Sequence, residues 1–211
     1  MSAQKIISSL ISINSIKINL KNPYVWASGW KSPIYCDNRI SLSYPKIRDN
    51  ITAQLVNKIT SNFNKIDAIA GVATAGIPQA SLVAKELNLP LVYVRSNAKK
   101  HGMKNMIEGD LKNNSNVLVI EDLISTGGSS LKAIDAIKER KCNVLGLVCI
   151  FNYSFEISKT NFKSNSIKVI SLCNYYDLIE FVKTKKIISS KEIEFLENWR
   201  KNPDKWTNYS S

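Results

Sequence analysis

The spacing of apolar residues changes several times along the chain, and each change marks an element. Ile6, Ile7, Leu10 and Ile11 fall on one helical face, predicting a short amphipathic helix over residues 3–13. Residues 16–36 read as extended structure with turns. Asn22-Pro23 and Ser28-Gly29 are turn signals, and Val25, Trp26, Ile34 and Tyr35 favour strands. Pro45 suits a first helical turn, and Ile47, Ile51, Leu55 and Ile59 recur every fourth residue, so a helix runs from there to about Phe63. DAIAGVA (67–73) is a short apolar strand, residues 77–87 a helix, and LVYVR (91–95) a second strand. Residues 96–115 are polar and glycine-containing, and a connection of that length is functional or disordered. NVLVIED (116–122) is a third strand, 125–140 a helix, 144–151 a fourth strand and 166–173 a fifth. From Tyr175 the tail alternates helical segments and ends in polar KNPDKWTNYSS.

Strands alternating with helices, the strands continuously apolar, predict an α/β fold with a central, mostly parallel sheet flanked by helices. No internal repeat or low-complexity linker interrupts the chain, so residues 1–211 are expected to form a single domain. Its parts are an N-terminal helix and extended region to about 40, a core over about 44–175, and C-terminal helical segments over 176–211. In such sheets ligands bind at the carboxyl ends of the strands. Thr74-Ala75-Gly76, Arg95 to His101 and Glu121 to Ser129 collect at those ends.

Composition narrows the class. At 211 residues and 44% hydrophobic content, the chain can bury a substantial core. Its net charge of +12 fits a nucleic-acid or membrane-surface binder. The lysines, however, are spread among abundant Asn, Ile and Ser with no long run of like charge. We therefore expect a lysine-rich surface and no nucleic-acid partner, with part of the charge drawing in a polyanionic small substrate. Cys36, Cys142, Cys149 and Cys173 form no C-x-x-C, and His101 is the lone histidine, which argues against a zinc site. Cys149 and Cys173 sit in apolar strand runs, as reduced thiols do. The N-terminal stretch mixes apolar residues with Ser, Asn and Lys, unlike a signal peptide. No stretch approaches the ~20 apolar residues of a membrane span. A cytoplasmic protein without membrane contact is expected.

VLVIEDLISTGGSS (117–130) carries the chemistry. A buried strand ends in adjacent carboxylates, Glu121 and Asp122, and a hydroxyl- and glycine-rich turn then opens a helix. Backbone N–H groups at a helix start cradle phosphate, and Gly127 and Gly128 allow close approach. Ser125, Thr126 and Ser129 add hydroxyl donors. Carboxylates cannot bind phosphate; they suit sugar hydroxyls or a cation shared with the ligand. Phosphate and polyol recognised side by side imply a sugar phosphate. A helix N-cap with a solvated acidic pair is the bland alternative, but the pair directly follows four apolar residues. No G-K-S/T follows and no G-x-G-x-x-G is present.

Residues 117–129 resemble the phosphoribosyl pyrophosphate motif of the type I phosphoribosyltransferases, in a form close to that of the orotate-specific members. ASGWKSPIYCDNR (27–39) resembles their N-terminal hood, GVATAGIPQA (71–80) their pyrophosphate loop, and YVRSNAKKHG (93–102) the opening of their mobile catalytic loop, R-x-x-x-K-x-H-G. The resemblance implies that fold, with a small hood, and transfer of ribose 5-phosphate from phosphoribosyl pyrophosphate to orotate. It implies that Arg95, Lys99, His101, Glu121, Asp122, Leu123, Ile124, Ser125, Thr126, Gly127, Gly128 and Ser129 hold phosphoribosyl pyrophosphate. Lys99, His101 and Asp122 are then catalytic, and Ser125 contacts orotate. It also implies Mg²⁺ held mainly through the substrate, with no dedicated protein metal site, and a homodimer whose loops complete one another's active sites. The loop makes chemical sense by itself, since mobile cations can fold over pyrophosphate and neutralise a leaving group.

The chain departs from some members at Ala27, Ala75 and Ser96, where those carry basic residues, and fits another branch that lacks them. Tyr153 stands near a place that is Arg in some members, which leaves the partner of the orotate carboxylate open. The roles of Lys31 and Tyr35 are open too. Trp26, Trp30, Tyr35 and Tyr44 offer stacking surfaces, although core or dimer contact is the commoner use. A transferase for another base would keep 117–129 and lack the hood segment. A non-catalytic regulator that senses phosphoribosyl pyrophosphate and binds nucleic acid would lack Lys99 and His101 and carry a helix-turn-helix, and no such pattern is found.

Overall fold

The computed structural model describes residues 2–26, 29–96 and 106–206. Helix α1 (Ala3–Ser12) buries Ile6, Ile7 and Leu10, three of the four positions that its periodicity marks. The extended region resolves into four short strands: β1 (Ile16–Ile18), β2 (Tyr24–Val25), β3 (Lys31–Ser32) and β4 (Ile34–Cys36). Strand β1 pairs antiparallel with β4, and β2 with β3. A 3-10 turn (Asn38–Ser43) follows, its start capped by the Asp37 carboxylate on the Arg39 N–H at 3.1 Å.

Helix α2 (Pro45–Asn62) has Pro at its start and buries Ile51, Leu55 and Ile59. After it come β5 (Ala68–Val72), α3 (Gly76–Leu87), β6 (Leu91–Val94), β7 (Ile107–Glu108), β8 (Asn116–Ile124), α4 (Gly128–Glu139), β9 (Asn143–Asn152), α5 (Glu156–Ser164), β10 (Val169–Asn174), α6 (Tyr175–Thr184) and α7 (Ser190–Lys201). The six-stranded sheet has the order β10-β9-β8-β5-β6-β7. All neighbours are parallel except β6 and β7, so the sheet is mixed at one edge.

Three elements differ from the sequence reading. Strand β7 lies inside the segment read as a polar loop; two residues are too short to show a period. Helix α5 lies between the fourth and fifth strands, where no element was read. Helix α4 begins at Gly128 rather than 125, because β8 continues through Leu123 and Ile124 and leaves Ser125, Thr126 and Gly127 as the turn.

Each face of the sheet buries its own apolar cluster. One cluster gathers residues of α1, α2, α3, α6 and α7, including Leu10, Leu55, Val83, Leu178 and Leu196. The other packs Ile134 and Ile137 of α4 and Phe162 of α5 against Val117, Val119 and Leu147. Strand β8 is therefore apolar on both faces up to Ile120, the pattern of a central parallel strand.

Helix α7 returns to the N-terminal strands. Its Trp199 is 1% exposed, lies 5.8 Å from Phe155 and 6.3 Å from Trp26 between ring centroids, and donates its indole N–H to the Lys31 carbonyl at 3.1 Å. Removing a buried Trp side chain costs about 3–5 kcal/mol. We expect Trp199→Ala to lower unfolding free energy in urea by that order, and Trp199→Phe, which keeps a smaller aromatic ring but not the donor, to lose less. Equal losses would mean that the ring contacts contribute little.

Candidate active site

Parallel strands bring their carboxyl ends to one end of the sheet, and Glu121, Asp122 and the turn at 125–127 lie there. Glu121 is 5% and Asp122 9% exposed. Glu121 Oε1 accepts the Asp122 backbone N–H at 3.1 Å, and Oε2 accepts the Ser130 hydroxyl at 3.3 Å. Burial raises the Glu121 pKa well above the usual carboxylate value, and the neighbouring Asp122 carboxylate adds to the rise. Asp122 is also raised, chiefly by burial, while the positive charge of Arg39 acts against the rise. A perturbed pair of acids at a strand end is where function concentrates.

The starts of two helices stand beside this pair. At Gly76, the first residue of α3, a Cβ would lie 2.7 Å from the Ile120 carbonyl and 3.2 Å from Glu121 Oε1. Only glycine lets α3 approach the acid this closely. At α4 the two glycines have different tasks. Gly127 has φ +84°, and a Cβ there would meet the Phe162 ring at 2.7 Å. Gly128 is exposed and a Cβ there would meet nothing within 4 Å. Steric demand thus falls on Gly127, and Gly128 leaves room over the helix start, where the first N–H groups have no partner within the helix. Helix starts of this kind bind phosphate groups in general. Ser125 and Thr126 are half-buried and Ser129 is exposed around it.

Beside this helix start, the short strands and the end of β8 border an open cavity of about 360 Å³ lined by Trp26, Tyr35, Cys36, Leu123, Ser125 and Tyr153, among others. Tyr153 is 1% exposed, and its hydroxyl donates to the Ile34 carbonyl at 3.3 Å. It forms a wall of the cavity, and its proton is already committed. Tyr35 is half-buried, with its ring 5.2 Å from that of Tyr24. Trp26 packs edge-on against Tyr153 at 4.8 Å and Phe155 at 6.1 Å, so it is a packing residue rather than an open stacking platform.

Leu123 and Ser125 face this cavity, whereas the Ile124 side chain is buried in the core on the α4 side, and its carbonyl accepts the Tyr153 N–H at 2.9 Å. Arg95 follows β6 directly, where its N–H donates to the Met106 carbonyl at 2.8 Å and its guanidinium pairs with Glu108 at 3.2 Å. These bonds join the two sides of segment 96–106 at its base. Lys99 and His101 lie outside the described residues. Among the described residues no group of three or more His, Cys, Asp or Glu is placed to hold a metal ion.

Sequence reasoning passed over Ser130 and Asn38. Ser130 is 1% exposed and holds Glu121; the second serine of G-G-S-S was its signal. Asn38 is 1% exposed and donates to the Asp122 carbonyl at 2.7 Å; nothing in sequence spacing links residues so far apart.

Comparison with known proteins agrees with this geometry. The phosphoribosyl transferase domain family matches residues 42–186. The chain is 50% identical to the orotate phosphoribosyltransferase of Porphyromonas gingivalis over 201 residues, covering 95% of this chain and 96% of that protein. It is 46% identical to that of Listeria innocua, covering 98% and 99%. Among solved structures, the fold is shared with orotate phosphoribosyltransferase from Aeropyrum pernix (TM-score 0.73, 24% identity, 87% of this chain and 99% of that chain). It is shared too with Leishmania donovani UMP synthase (TM-score 0.77, 24% identity, 94% of this chain and 43% of that one).

The raised acid makes a stability prediction. A carboxyl whose folded pKa exceeds its unfolded value binds extra proton in the native state, so stability falls as pH rises from the usual carboxylate range towards the raised value. In Glu121→Gln, the amide oxygen can accept the Asp122 N–H and the amide nitrogen can donate to Ser130. This variant should be more stable than wild type at neutral pH, with a flatter thermal-midpoint profile across that window. A less stable variant with an unchanged slope would show that Glu121 is not strained.

The glycines separate in the same assay. Gly127→Ala meets a left-handed backbone costing about 1–2 kcal/mol, plus the Phe162 contact, and should lower the midpoint. Gly128→Ala should keep it while weakening the binding of a phosphate-bearing ligand by calorimetry. Wild-type affinity in Gly128→Ala would remove the phosphate from this helix start.

Proposed function

The chain belongs to the orotate phosphoribosyltransferases of the phosphoribosyltransferase family, and on that premise we propose how its residues divide the reaction among themselves. The enzyme transfers ribose 5-phosphate from phosphoribosyl pyrophosphate to a ring nitrogen of orotate in pyrimidine biosynthesis, releasing pyrophosphate. The observation that most supports the residue roles is the meeting of a buried acid pair, an open helix start and an adjacent open cavity at the carboxyl end of β8.

The N–H groups at the start of α4, with Ser125, Thr126 and Ser129, hold the 5-phosphate over Gly128. Glu121 and Asp122 accept hydrogen bonds from the ribose hydroxyls. Their negative charge lies near the sugar as positive, oxocarbenium-like character develops at its anomeric carbon. Orotate occupies the cavity beside Ser125, with Tyr153 as a wall. Arg95, Lys99 and His101 neutralise the departing pyrophosphate, reaching it from a second subunit of a homodimer. No residue is needed as a covalent nucleophile, because positioning and charge stabilisation carry the step.

Mg²⁺ commonly takes one or two carboxylates plus substrate phosphates, and two adjacent carboxylates fit that demand. When bound, it neutralises charge on the pyrophosphate. Glu121 and Asp122 would meet it beside oxygens that the substrate supplies. No described helix is long and apolar enough to cross a membrane, and we assign the enzyme to the cytoplasm.

Loss of orotate absorbance on adding phosphoribosyl pyrophosphate and Mg²⁺ tests the whole reading. Lys99→Ala and Asp122→Asn should each be nearly inactive. Mixed under conditions that exchange subunits, they place both lesions in one site of a heterodimer and leave the other site intact. Random exchange should return about a quarter of wild-type activity, provided the two sites of the dimer act independently. No recovery despite demonstrated exchange would mean that each loop serves its own subunit.

A further inference from the structure

We infer that Asn38 is a positioning residue for the transfer, tying the acid pair at the end of β8 to the wall of the base cavity through a three-residue chain, Cys36–Asn38–Asp122. Asn38 opens the 3-10 turn after β4 and is 1% exposed. Its Nδ2 donates to the backbone carbonyl of Asp122 at 2.7 Å, and its Oδ1 accepts the Cys36 thiol at 3.5 Å. Its own carbonyl accepts the Ser41 hydroxyl at 2.6 Å, which holds the turn closed beneath it. Cys36 in turn lines the cavity assigned to the base.

The direction of each bond is set by chemistry. A carbonyl oxygen can only accept, so the amide must present nitrogen to Asp122. That leaves Oδ1 towards Cys36, where a donor is needed. Burial pushes the Cys36 thiol pKa well up, so the sulfur keeps its proton and can donate. A flipped amide would set oxygen against oxygen at Asp122. The thiol contributes little energy, since S–H is a weak donor, but it matches only one orientation of the amide. The turn also brings Arg39, held by Asp37 at 2.7 Å, close enough for its charge to act against the raised pKa of Asp122.

This arrangement matters because the base cavity has one wall on β4 and the other at the end of β8, where the ribose also rests, 84 residues away in sequence from Asn38. Reacting atoms must come within about 3–3.5 Å and in line, and a misplacement of about 1 Å can cost roughly 100-fold. Asn38 joins the two walls directly, and Tyr153 bridges them through its own residue, its hydroxyl donating to the Ile34 carbonyl and its N–H to the Ile124 carbonyl. Loss of the Asn38 bond should therefore leave each substrate's own contacts intact and spoil their relative placement. The inference rests on the assignment of ribose to the acid pair and orotate to the cavity.

Asn38→Leu keeps the volume and removes the bond. Its kcat, per site counted by calorimetric stoichiometry, should fall about tenfold or more, with each substrate's dissociation constant within about threefold of wild type. A residue that merely supports the fold would lower the thermal midpoint and the number of competent sites while leaving kcat per site unchanged, and that result would overturn the inference. So would a loss confined to one substrate's KM. Cys36→Ser and Cys36→Val provide a second test that stands if Asn38→Leu does not fold. Serine retains a donor for Oδ1 and valine does not, so the serine variant should keep the larger share of kcat. Equal kcat in these two variants would overturn the chain of orientation. Wild-type protein that consumes no orotate would overturn the functional reading itself, and it is assayed alongside to keep the two failures distinct.

Discussion

Two carboxylates are kept out of water at the end of a strand whose preceding residues are apolar on both sides, and much of the molecule is arranged around them. Burying a charge is expensive unless it is paired or hydrogen-bonded. Glu121 has the Asp122 N–H and the Ser130 hydroxyl, and Asp122 has a hydrogen bond with the Glu121 side chain and, more weakly, the nearby charge of Arg39. These are partial answers, which is why both acids are raised. Strand β8 must be apolar to sit at the centre of the sheet, so its carboxyl end emerges where the core is still dense. Gly76 lets one helix start crowd the acids, Gly127 turns the chain into another, and Asn38 ties down the backbone between them.

Such a pair is a liability for the fold and an asset for chemistry. Groups with strongly shifted pKa values mark sites where stability has been given up for function. On the proposed assignment, ribose hydroxyls and a cation shared with pyrophosphate would supply the donors and charge that the protein itself provides only in part. Binding should therefore favour the ionised pair. The excess of basic residues would act at longer range by attracting a polyanionic substrate. Arg95 sits where β6 and β7 close the base of the loop, paired with Glu108.

The parts of this architecture governed by local rules were legible in the sequence. Apolar periodicity placed α1, α2, α3 and five strands to within a few residues, because each buries the face that its spacing defines. The run from Glu121 to Ser129 reads as a sugar-phosphate site because acids, glycines and hydroxyls suit adjacent chemical tasks, and the structure places the buried acids of that run just before the start of α4. What escaped depends on contacts distant in sequence or on elements too short to show a period. Strand β7 is two residues long, and α5 has only Ser158 and Phe162 buried. The left-handed residue of the G-G pair is Gly127, because Phe162 and the strand end decide it, and neither is visible locally. Tyr153 could be flagged by its position, but only the Ile34 carbonyl shows that its proton is committed.

The central claim, that these buried acids are strained in the free protein and relieved by the sugar phosphate, is open to direct measurement. Carbon-13 NMR of labelled side-chain carboxyls, assigned by Glu121→Gln and Asp122→Asn, can follow their titration in the free enzyme and with phosphoribosyl pyrophosphate and Mg²⁺. The account predicts that at least one of the two titrates clearly above the ordinary carboxylate range in the free enzyme and moves down when the substrate binds. Two carboxyls titrating in the ordinary range, indifferent to the substrate, would contradict it.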